Sequence, residues 1–253
     1  MEKFVISLTS SVERREHILN EFQSKKIDFQ FFDAIQPSTL KEEQERLDFS
    51  FRDSLLSDNE KSCFMSHYSL WHKAIAENLD YIAVFEDDIY LSNNSAIFLN
   101  STEWIDKDFL KIEKTSKYIL VKDRKSLSYK SNDYVVAKLK SSHMGAGGYI
   151  LSNNAAKSLI DFIKRQSKID HIDQIMFDLY KNNGEFNIYQ MNPVLCIQDC
   201  ILYPNNQKFQ SSLQWRDNKK FKLNLICKIK REIKRFIVKL LEIPYKVKLV
   251  FIK

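Results

Sequence analysis

Short apolar runs alternate with capped helical segments through the first third of the chain. In chain order they predict a strand, a helix, a strand, a helix and a strand over residues 4–8, 11–24, 28–33, 58–78 and 81–85. Ser10 with Glu13, and Ser57 with Glu60, have the spacing of a capping box, which marks the start of a helix. This order predicts an α/β fold in which helices connect the strands of a sheet.

The third of these strands ends in three consecutive carboxylates, Glu86, Asp87 and Asp88, in the stretch DYIAVFEDDIYLS. In extended backbone, Glu86 and Asp88 lie on one face and Asp87 on the other. Ligands of open α/β sheets bind beyond the carboxyl ends of the strands, and oxygen ligands at this spacing suit a hard divalent ion such as Mn²⁺ or Mg²⁺. A solvated turn without an ion is the alternative that the pattern leaves open.

Three further motifs hold candidate site residues. His67 and His72 are five residues apart, so they do not share a helix face as the two histidines of a zinc-protease helix do. The glycine cluster GAGGY at residues 145–149 either forms a tight hairpin turn or lets the backbone approach a ligand closely. Asp170 and Asp173 lie near a predicted helix start, where carboxylates also act as caps.

Length, cysteine spacing and hydropathy bound the class of protein. A chain of 253 residues is expected to hold one or two domains. No cleavable signal precedes the first strand, and no window approaches the roughly 20 apolar residues of a membrane-spanning helix. The four cysteines include no C-x-x-C pair, which argues against a zinc ribbon or a redox dithiol. These features predict a cytoplasmic protein with reduced cysteines.

Basic charge is concentrated in residues 219–253, which carry 12 lysines and arginines against two acidic residues, whereas residues 1–218 are net acidic. Apolar residues recur at helical spacing between Ile229 and Leu241. Such a helix is expected to lie on an anionic membrane surface, and its apolar stripe argues against a nucleic-acid partner. An oligomerisation helix is the alternative. The predicted division is a body, residues 1–218, and a basic amphipathic membrane-association tail, residues 219–253.

Eight short motifs follow one another between about residues 3 and 200. They are VISLTSSVERREHI, FFDAI, LSDNEKSCFMSHYSLWHKAI, YIAVFEDDIYLS, FLKIE, GAGGYILSNNAAKSLI, HIDQIM and NPVLCIQ. Together they resemble glycosyltransferase family 25, the bacterial lipooligosaccharide galactosyl- and glucosyltransferases. The chain departs from the family pattern at Ser7, where an asparagine is usual, before Cys63, where a glycine is missing, and at His171, where a proline is common.

The resemblance implies a GT-A-type fold, in which a Rossmann-like half for the nucleotide sugar is merged with an acceptor-binding half. It implies that Asp88 holds Mn²⁺ or Mg²⁺ against the diphosphate of a UDP-sugar and that Glu86 assists that ion or holds the ribose. Asp87 is then expected to orient the nucleotide or a nearby basic group. It also implies inversion at the sugar carbon, which needs a base beside the acceptor hydroxyl. Asp173 is expected in that role, and Asp170 is the second candidate.

The other candidate residues are assigned to substrate binding. Arg14 and Arg15 offset phosphate charge or pair structurally, Gly147 and Gly148 let the backbone approach the donor sugar, and Gln198 touches the nucleotide or the metal. The full set of substrate-binding candidates is Ser7, Leu8, Arg14, Arg15, His67, Glu86, Asp87, Gly147, Gly148 and Gln198.

The expected function is therefore that of an inverting hexosyltransferase similar to the β-1,4-galactosyltransferases. It would move galactose, or else glucose, from a UDP-sugar to a lipooligosaccharide or lipopolysaccharide acceptor at the inner face of the cytoplasmic membrane. Two alternatives stay open. One is a Mg²⁺-dependent phosphohydrolase, although no D-x-D-x-T/V motif is present, and the other is a non-catalytic membrane-surface binding module.

Overall fold

The computed structural model describes residues 1–209 and 240–253. Its strands are β1 (Glu2–Ser7), β2 (Gln30–Asp33), β3 (Tyr81–Glu86), β4 (Ile89–Leu91), β5 (Phe109–Lys111), β6 (Glu113–Lys114), β7 (Tyr118–Tyr129), β8 (Asn132–Leu139), β9 (Gly148–Ser152), β10 (Tyr189–Asn192), β11 (Cys196–Gln198) and β12 (Lys246–Lys248). Its helices include α1 (Val12–Ser24), α2 (Leu40–Arg46), α3 (Asp58–Ala76), α4 (Ser95–Leu99), α5 (Asn153–Lys164), α6 (Ile172–Gln174), α7 (Lys181–Asn183) and α8 (Asp199–Leu202). A π-helical segment (Ile175–Tyr180) joins α6 to α7, and a 3₁₀ turn (Ile243–Tyr245) precedes β12.

The N-terminal part of the large sheet is parallel. β1 pairs with β2 on one side and with β3 on the other, both in parallel. α1 connects β1 to β2, and α2 and α3 connect β2 to β3. The strand order β2-β1-β3 means that the chain reverses its direction of travel across the sheet beside β1, and a ligand crevice forms at such a switch point. The predicted α/β fold with a Rossmann-like first half is confirmed.

Helices cover both faces of this sheet because the central strands are apolar on both sides. On one face, Phe4 of β1 and Val84 of β3 belong to the buried cluster that includes residues of α3 and α5. On the other face, Val5 and Phe85 belong to the cluster that includes residues of α1 and α4. The resulting layers hold the carboxyl ends of β1 and β3 in a fixed position.

Two antiparallel arrangements bring later segments to the carboxyl end of β3. In the described residues, one sheet has the order β12-β7-β8-β10-β5-β9-β3-β1-β2, so β9 runs antiparallel beside β3 and sets Gly148 opposite Phe85. A second sheet has the order β4-β11-β6, and its pairing sets Gln198 opposite Ile89. Residues far apart in sequence therefore meet at the turn that follows β3.

The two predicted helix caps had different outcomes. At α3, Ser57 N donates to Glu60 Oε2 over 2.7 Å and Glu60 N donates to Ser57 Oγ over 3.4 Å, so that capping box is confirmed. At α1 the prediction is wrong, since the N-cap residue is Ser11 and no side chain caps the helix. The helix predicted to start near Asp170 and Asp173 is present, but most of it, from Ile175 to Tyr180, has π-helical hydrogen bonding.

The end of the chain is part of the folded body. β12 pairs antiparallel with β7, and Leu249 is fully buried in the same core cluster as Phe4. Residues 210–239, which hold most of the predicted tail helix, lie outside the described residues. Within residues 1–209 and 240–253, none of the helices combines the length and hydropathy of a membrane-spanning segment.

Candidate active site

The three carboxylates form the turn between β3 and β4, at the switch point of the parallel strands. Gln198 Nε2 donates to Glu86 Oε2 over 2.7 Å and lies 3.3 Å from Asp88 Oδ1, so one amide nitrogen contacts both carboxylates. Asp87 points the other way and pairs with Arg14. Glu86 and Asp88 thus lie on one side of the chain and Asp87 on the other, as strand alternation predicted. Gln198 comes within reach because β11 lies beside β4.

Glu86 and Asp88 form a site with excess negative charge. Burial raises the pKa of Glu86, and the charges of Asp87 and Asp173 raise it further. Burial also raises the pKa of Asp88, with Glu86 as the next cause. The raised pKa values mean that the ionised form of this carboxylate pair is disfavoured by itself. A hard divalent cation stabilises the ionised form and takes carboxylate oxygens as ligands. The residues present therefore fit the Mn²⁺ or Mg²⁺ that the resemblance implies.

Arg14 and Asp87 form a largely buried ion pair behind the turn. Arg14 Nη1 lies 2.5 Å from Asp87 Oδ1, and the two side chains are 22% and 12% exposed. Burial lowers the pKa of the Arg14 guanidinium, but the charge and hydrogen bond of Asp87, together with the charges of Asp88 and Glu86, outweigh it, so that the net pKa is raised. The pair anchors α1 to the acidic turn. Of the two roles given to Asp87, contact with a basic group is the one that the geometry contains.

Arg15 fixes the loop between β1 and α1. Its guanidinium donates to the carbonyl oxygens of Ser7 over 2.9 Å and of Leu8 over 3.1 Å, and it pairs with Asp33. These contacts correspond to the structural interpretation of this arginine. They hold the backbone of Ser7 and Leu8 at the carboxyl end of β1, next to β3, where Ile6 is paired with Glu86.

The glycine cluster packs directly against the acidic turn. Glu86 N donates to Gly147 O over 3.3 Å. A Cβ atom on Gly147 would lie 2.9 Å from the side chains of both Gln198 and Glu113, and one on Gly148 would lie 2.2 Å from Cys196 Sγ. Glycine is thus required at both positions because neighbouring protein atoms leave no room for a Cβ, whether or not a ligand also approaches the backbone.

A buried lysine and a buried glutamate support the glycine cluster, and the sequence analysis did not identify them. Lys111 Nζ donates to the carbonyl oxygens of His143 over 2.9 Å and of Met144 over 3.3 Å, and lies 3.4 Å from Glu113 Oε2. Glu113 Oε2 accepts a hydrogen bond from Gly147 N over 3.1 Å. The available signal was the motif FLKIE, where two charged residues share one side of an otherwise apolar strand.

Glu113 adds a fourth carboxylate near the acidic turn. Its side chain is fully buried, and Oε1 has no hydrogen-bond partner among the described residues. Burial raises the pKa of Glu113 to about 7; Lys111 opposes the shift, and Glu86 and Asp88 add to it. The interior of the site is therefore more acidic than the sequence indicated.

The two candidate bases lie in different surroundings. Asp173 accepts a hydrogen bond from Gly145 N over 3.0 Å through Oδ2, and its charge contributes to the raised pKa of Glu86. Asp170 instead lies 3.7 Å from Lys168 Nζ. The fold thus brings Asp173, but not Asp170, into contact with the glycine cluster beside the acidic turn.

His67 is buried beside Glu86. Its Nδ1 lies 2.9 Å from the Tyr149 hydroxyl, which accepts a hydrogen bond from Trp71 Nε1 over 2.9 Å, and its Nε2 lies 3.7 Å from Glu86 Oε1. Burial lowers the pKa of His67 to about 4, so the ring is neutral at physiological pH. His72 packs against the ring of Tyr68 instead.

Comparisons with known proteins agree on one family. The family model of glycosyltransferase family 25 (LPS biosynthesis protein) matches residues 1–176. The lipooligosaccharide biosynthesis protein lic2B of Haemophilus influenzae is 37% identical over 257 residues, which cover 96% of this chain and 92% of that protein. The lacto-N-neotetraose biosynthesis glycosyltransferase LgtE of Neisseria gonorrhoeae is 36% identical over 216 residues, which cover 79% and 74% of the two chains.

Proposed function

The chain belongs to glycosyltransferase family 25, and from this premise we propose that it is an inverting hexosyltransferase that uses a UDP-sugar. As a member of this family it is a transferase that takes a sugar donor and an oligosaccharide acceptor. The proposed donor is UDP-galactose, or else UDP-glucose, with a specificity like that of the β-1,4-galactosyltransferases. The proposed acceptor is a lipooligosaccharide or lipopolysaccharide, which the names of the relatives support.

The arrangement of Glu86, Asp88 and Gln198 at the switch point is the observation that carries the proposal. Asp88 and Glu86 would hold Mn²⁺ or Mg²⁺. When bound, the ion offsets the negative charge that develops on the diphosphate leaving group. Gln198 keeps the two carboxylates together, because its amide nitrogen contacts both.

The arginine pair and the loop after β1 supply the rest of the donor side. Arg14 balances the charge of Asp87 and so leaves Glu86 and Asp88 as the carboxylates available to the ion. Arg15 holds the carbonyl groups of the loop that follows β1, which orients this backbone toward the nucleotide. We propose donor contacts for Ser7, Leu8, His67, Gly147 and Gly148.

Inversion requires one in-line attack by the acceptor hydroxyl, whose proton must be accepted as the bond forms. Asp173 is the proposed base. Its Oδ2 is oriented by the amide of Gly145, within the glycine cluster that also contacts Glu86. The proton would move from the acceptor hydroxyl to the Asp173 carboxylate. Asp170, which lies 3.7 Å from Lys168 Nζ, remains the second candidate.

The C-terminal segment is proposed to bind the anionic inner face of the cytoplasmic membrane, where a lipid-linked acceptor is reached. Three large apolar side chains near its described start are at least half exposed, Leu240 by 50%, Leu241 by 67% and Ile243 by 62%. Exposed apolar side chains that follow a strongly basic stretch are typical of surface association. Flotation of the full chain with anionic but not with neutral vesicles tests this part of the proposal.

A panel of nucleotide sugars tests the donor and the ion together. The full chain is heated with UDP-galactose, UDP-glucose or a non-UDP sugar nucleotide, with and without Mn²⁺. A ligand at about 100 times its Kd adds about 2.7 kcal/mol, which for a chain of this size raises Tm by roughly 5 to 11 °C. We expect this shift for one UDP-sugar only, and only with the ion.

Matched variants separate the site from general effects of charge. Asp88→Asn should lose the Mn²⁺-dependent shift and sugar transfer, whereas Asp28→Asn, an exposed residue before β2, should keep both. A UDP-sugar shift that persists in Asp88→Asn and ignores Mn²⁺ would contradict the assigned ion site. Hydrolysis of a generic phosphate ester without any nucleotide sugar would replace the transferase by a phosphohydrolase.

A further inference from the structure

A cysteine and a histidine on α3 face the same carboxylate that contributes to the acidic turn. Cys63 and His67 are four residues apart, so they lie one turn apart on the same face of the helix. Glu86 reaches them from the end of β3. One atom from each of the three residues, a sulfur, a ring nitrogen and a carboxylate oxygen, lies within 4.8 Å of the other two.

One ligand-to-ligand distance is close to that around a bound ion, and the other two are no longer than 4.8 Å. An ion with tetrahedral bonds of about 2.0 Å to nitrogen and oxygen and about 2.3 Å to sulfur separates its ligand atoms by roughly 3.3 to 3.6 Å. His67 Nε2 and Glu86 Oε1 are 3.7 Å apart. A small movement of the side chains would complete three ligands, with the fourth position open to water or a substrate.

His67 is oriented as a metal-bound histidine usually is. Histidine ligands commonly donate their second ring nitrogen to a neighbouring acceptor, which fixes the ring and the tautomer. The Tyr149 hydroxyl lies 2.9 Å from His67 Nδ1 and accepts a hydrogen bond from Trp71 Nε1. Nε2 is buried and has no hydrogen-bond partner in the described part of the chain. In the tautomer that places the proton on Nδ1, the lone pair of Nε2 is available to an ion.

The charges around Cys63 favour a cation over a bare thiolate. Burial raises the pKa of the Cys63 thiol, and the negative charges of Glu86, Asp173 and Glu60 raise it further, so a thiolate here needs a cation to offset its charge. A thiol and an imidazole select softer divalent ions over Mg²⁺. We propose that Cys63, His67 and Glu86 form a binding site for Zn²⁺ or a divalent ion of similar ligand preference. This second site shares Glu86 with the oxygen-ligand pair of Glu86 and Asp88.

The shared carboxylate links the two sites. Glu86 Oε1 faces His67, whereas Oε2 accepts from Gln198 beside Asp88. An ion held by Cys63 and His67 draws Glu86 away from Asp88, so Zn²⁺ is expected to inhibit sugar transfer. This consequence rests on the proposed function, but ion binding itself does not, and it is measured without any nucleotide.

Cobalt is the probe, because Co²⁺ bound to a thiolate has a near-ultraviolet charge-transfer band. The reduced full chain is titrated with Co²⁺, and Zn²⁺ is then added to displace it. We expect the band in the parent chain and its loss in Cys63→Ser, with binding at least tenfold weaker in His67→Gln. Circular dichroism at each step establishes that the variants are folded.

Control variants identify which residues hold the ion. Cys200→Ser and Cys227→Ser remove other cysteines and should keep the band. Asp88→Asn should also keep it, because Asp88 belongs only to the oxygen-ligand pair. No band with Co²⁺ in the parent chain, or a band that persists in both Cys63→Ser and Cys63→Ala, overturns the proposal. A parent chain that shows the band but transfers no sugar from any UDP-sugar would instead count against the proposed function.

Discussion

His143, a buried histidine beside the glycine cluster, should make the fold sensitive to mild acid. Its side chain is 3% exposed and its Nδ1 lies 3.1 Å from Gln190 Oε1, so the neutral ring donates one hydrogen bond. Burial lowers the pKa of His143 to about 3, and the positive charge of Lys111 contributes. Since Lys111 also holds the carbonyl of residue 143, protonation of the ring would place two positive charges at the support of the site.

The sign and the size of the effect follow from linkage. A histidine pKa that is lower in the folded chain than its ordinary value of about 6.5 means that the unfolded chain binds the proton first. The stability contributed by neutral His143 is therefore complete above about pH 6.5 and is lost as the pH falls toward about 3. Below about pH 6.5, each pH unit lowers the free energy of unfolding by about 1.4 kcal/mol. Between pH 7.5 and pH 5 the total loss is therefore about 2 kcal/mol.

Urea unfolding of the parent chain and of His143→Asn at both pH values measures this quantity. Asparagine keeps an amide donor for Gln190 but cannot take up a proton. We expect the free energy of unfolding of the variant to fall by about 2 kcal/mol less than that of the parent between pH 7.5 and pH 5. Equal losses in the two proteins would refute the assignment of a buried neutral histidine.

Three further substitutions test the packing of the site and of the chain end. Gly148→Ala places a Cβ 2.2 Å from Cys196 Sγ and should lower the free energy of unfolding by about 1 to 3 kcal/mol, measured in urea. Asp87→Asn removes the ion pair with Arg14 and should cost about 2 kcal/mol at low salt, with thermal unfolding as the assay. Leu249→Ala empties a fully buried position near the C-terminus and should cost about 2 to 4 kcal/mol by the same assay.

Each of these substitutions has a defined contrary result. A stable Gly148→Ala chain would mean that β9 and β11 separate easily, and a salt-independent Asp87→Asn effect would mean that charge is not the cause. Leu241→Ala, at a position that is 67% exposed, is the control for Leu249 and should change stability by less than about 0.5 kcal/mol. Equal costs at the two leucines would mean that the chain end is not packed as described.

Local patterns were sufficient for the first part of the fold. The elements β1, α1, β2, α3 and β3, the capping box at Ser57 and the acidic turn were predicted within a few residues of their observed bounds, whereas α2 was not predicted. These elements are long and periodic, and their caps are adjacent in sequence. The short strands β4, β5, β6, β10 and β11 were not predicted, because each has two to four residues and is held by partners far away in the chain.

Contacts with residues far away in the chain also explain the errors at individual residues. Ser10 has the sequence spacing of a cap, but Arg15 holds the segment after β1 through bonds to Ser7 and Leu8, and the N-cap residue is Ser11. The motif FLKIE puts Lys111 and Glu113 on one side of the chain but does not indicate that this side is buried, which the pairing of β9 with β5 makes evident.

From its sequence alone, this chain was identifiable as an α/β protein of glycosyltransferase family 25 with three carboxylates at the end of a buried strand, because strand period, helix caps and motif order are local properties. The tertiary structure decided which groups meet those carboxylates: Gln198 between Glu86 and Asp88, and Arg14 behind Asp87. It also brought Cys63 and His67 to the far side of Glu86. Such contacts depend on strand order and register, which are set by the burial of whole faces and cannot be read from any single segment.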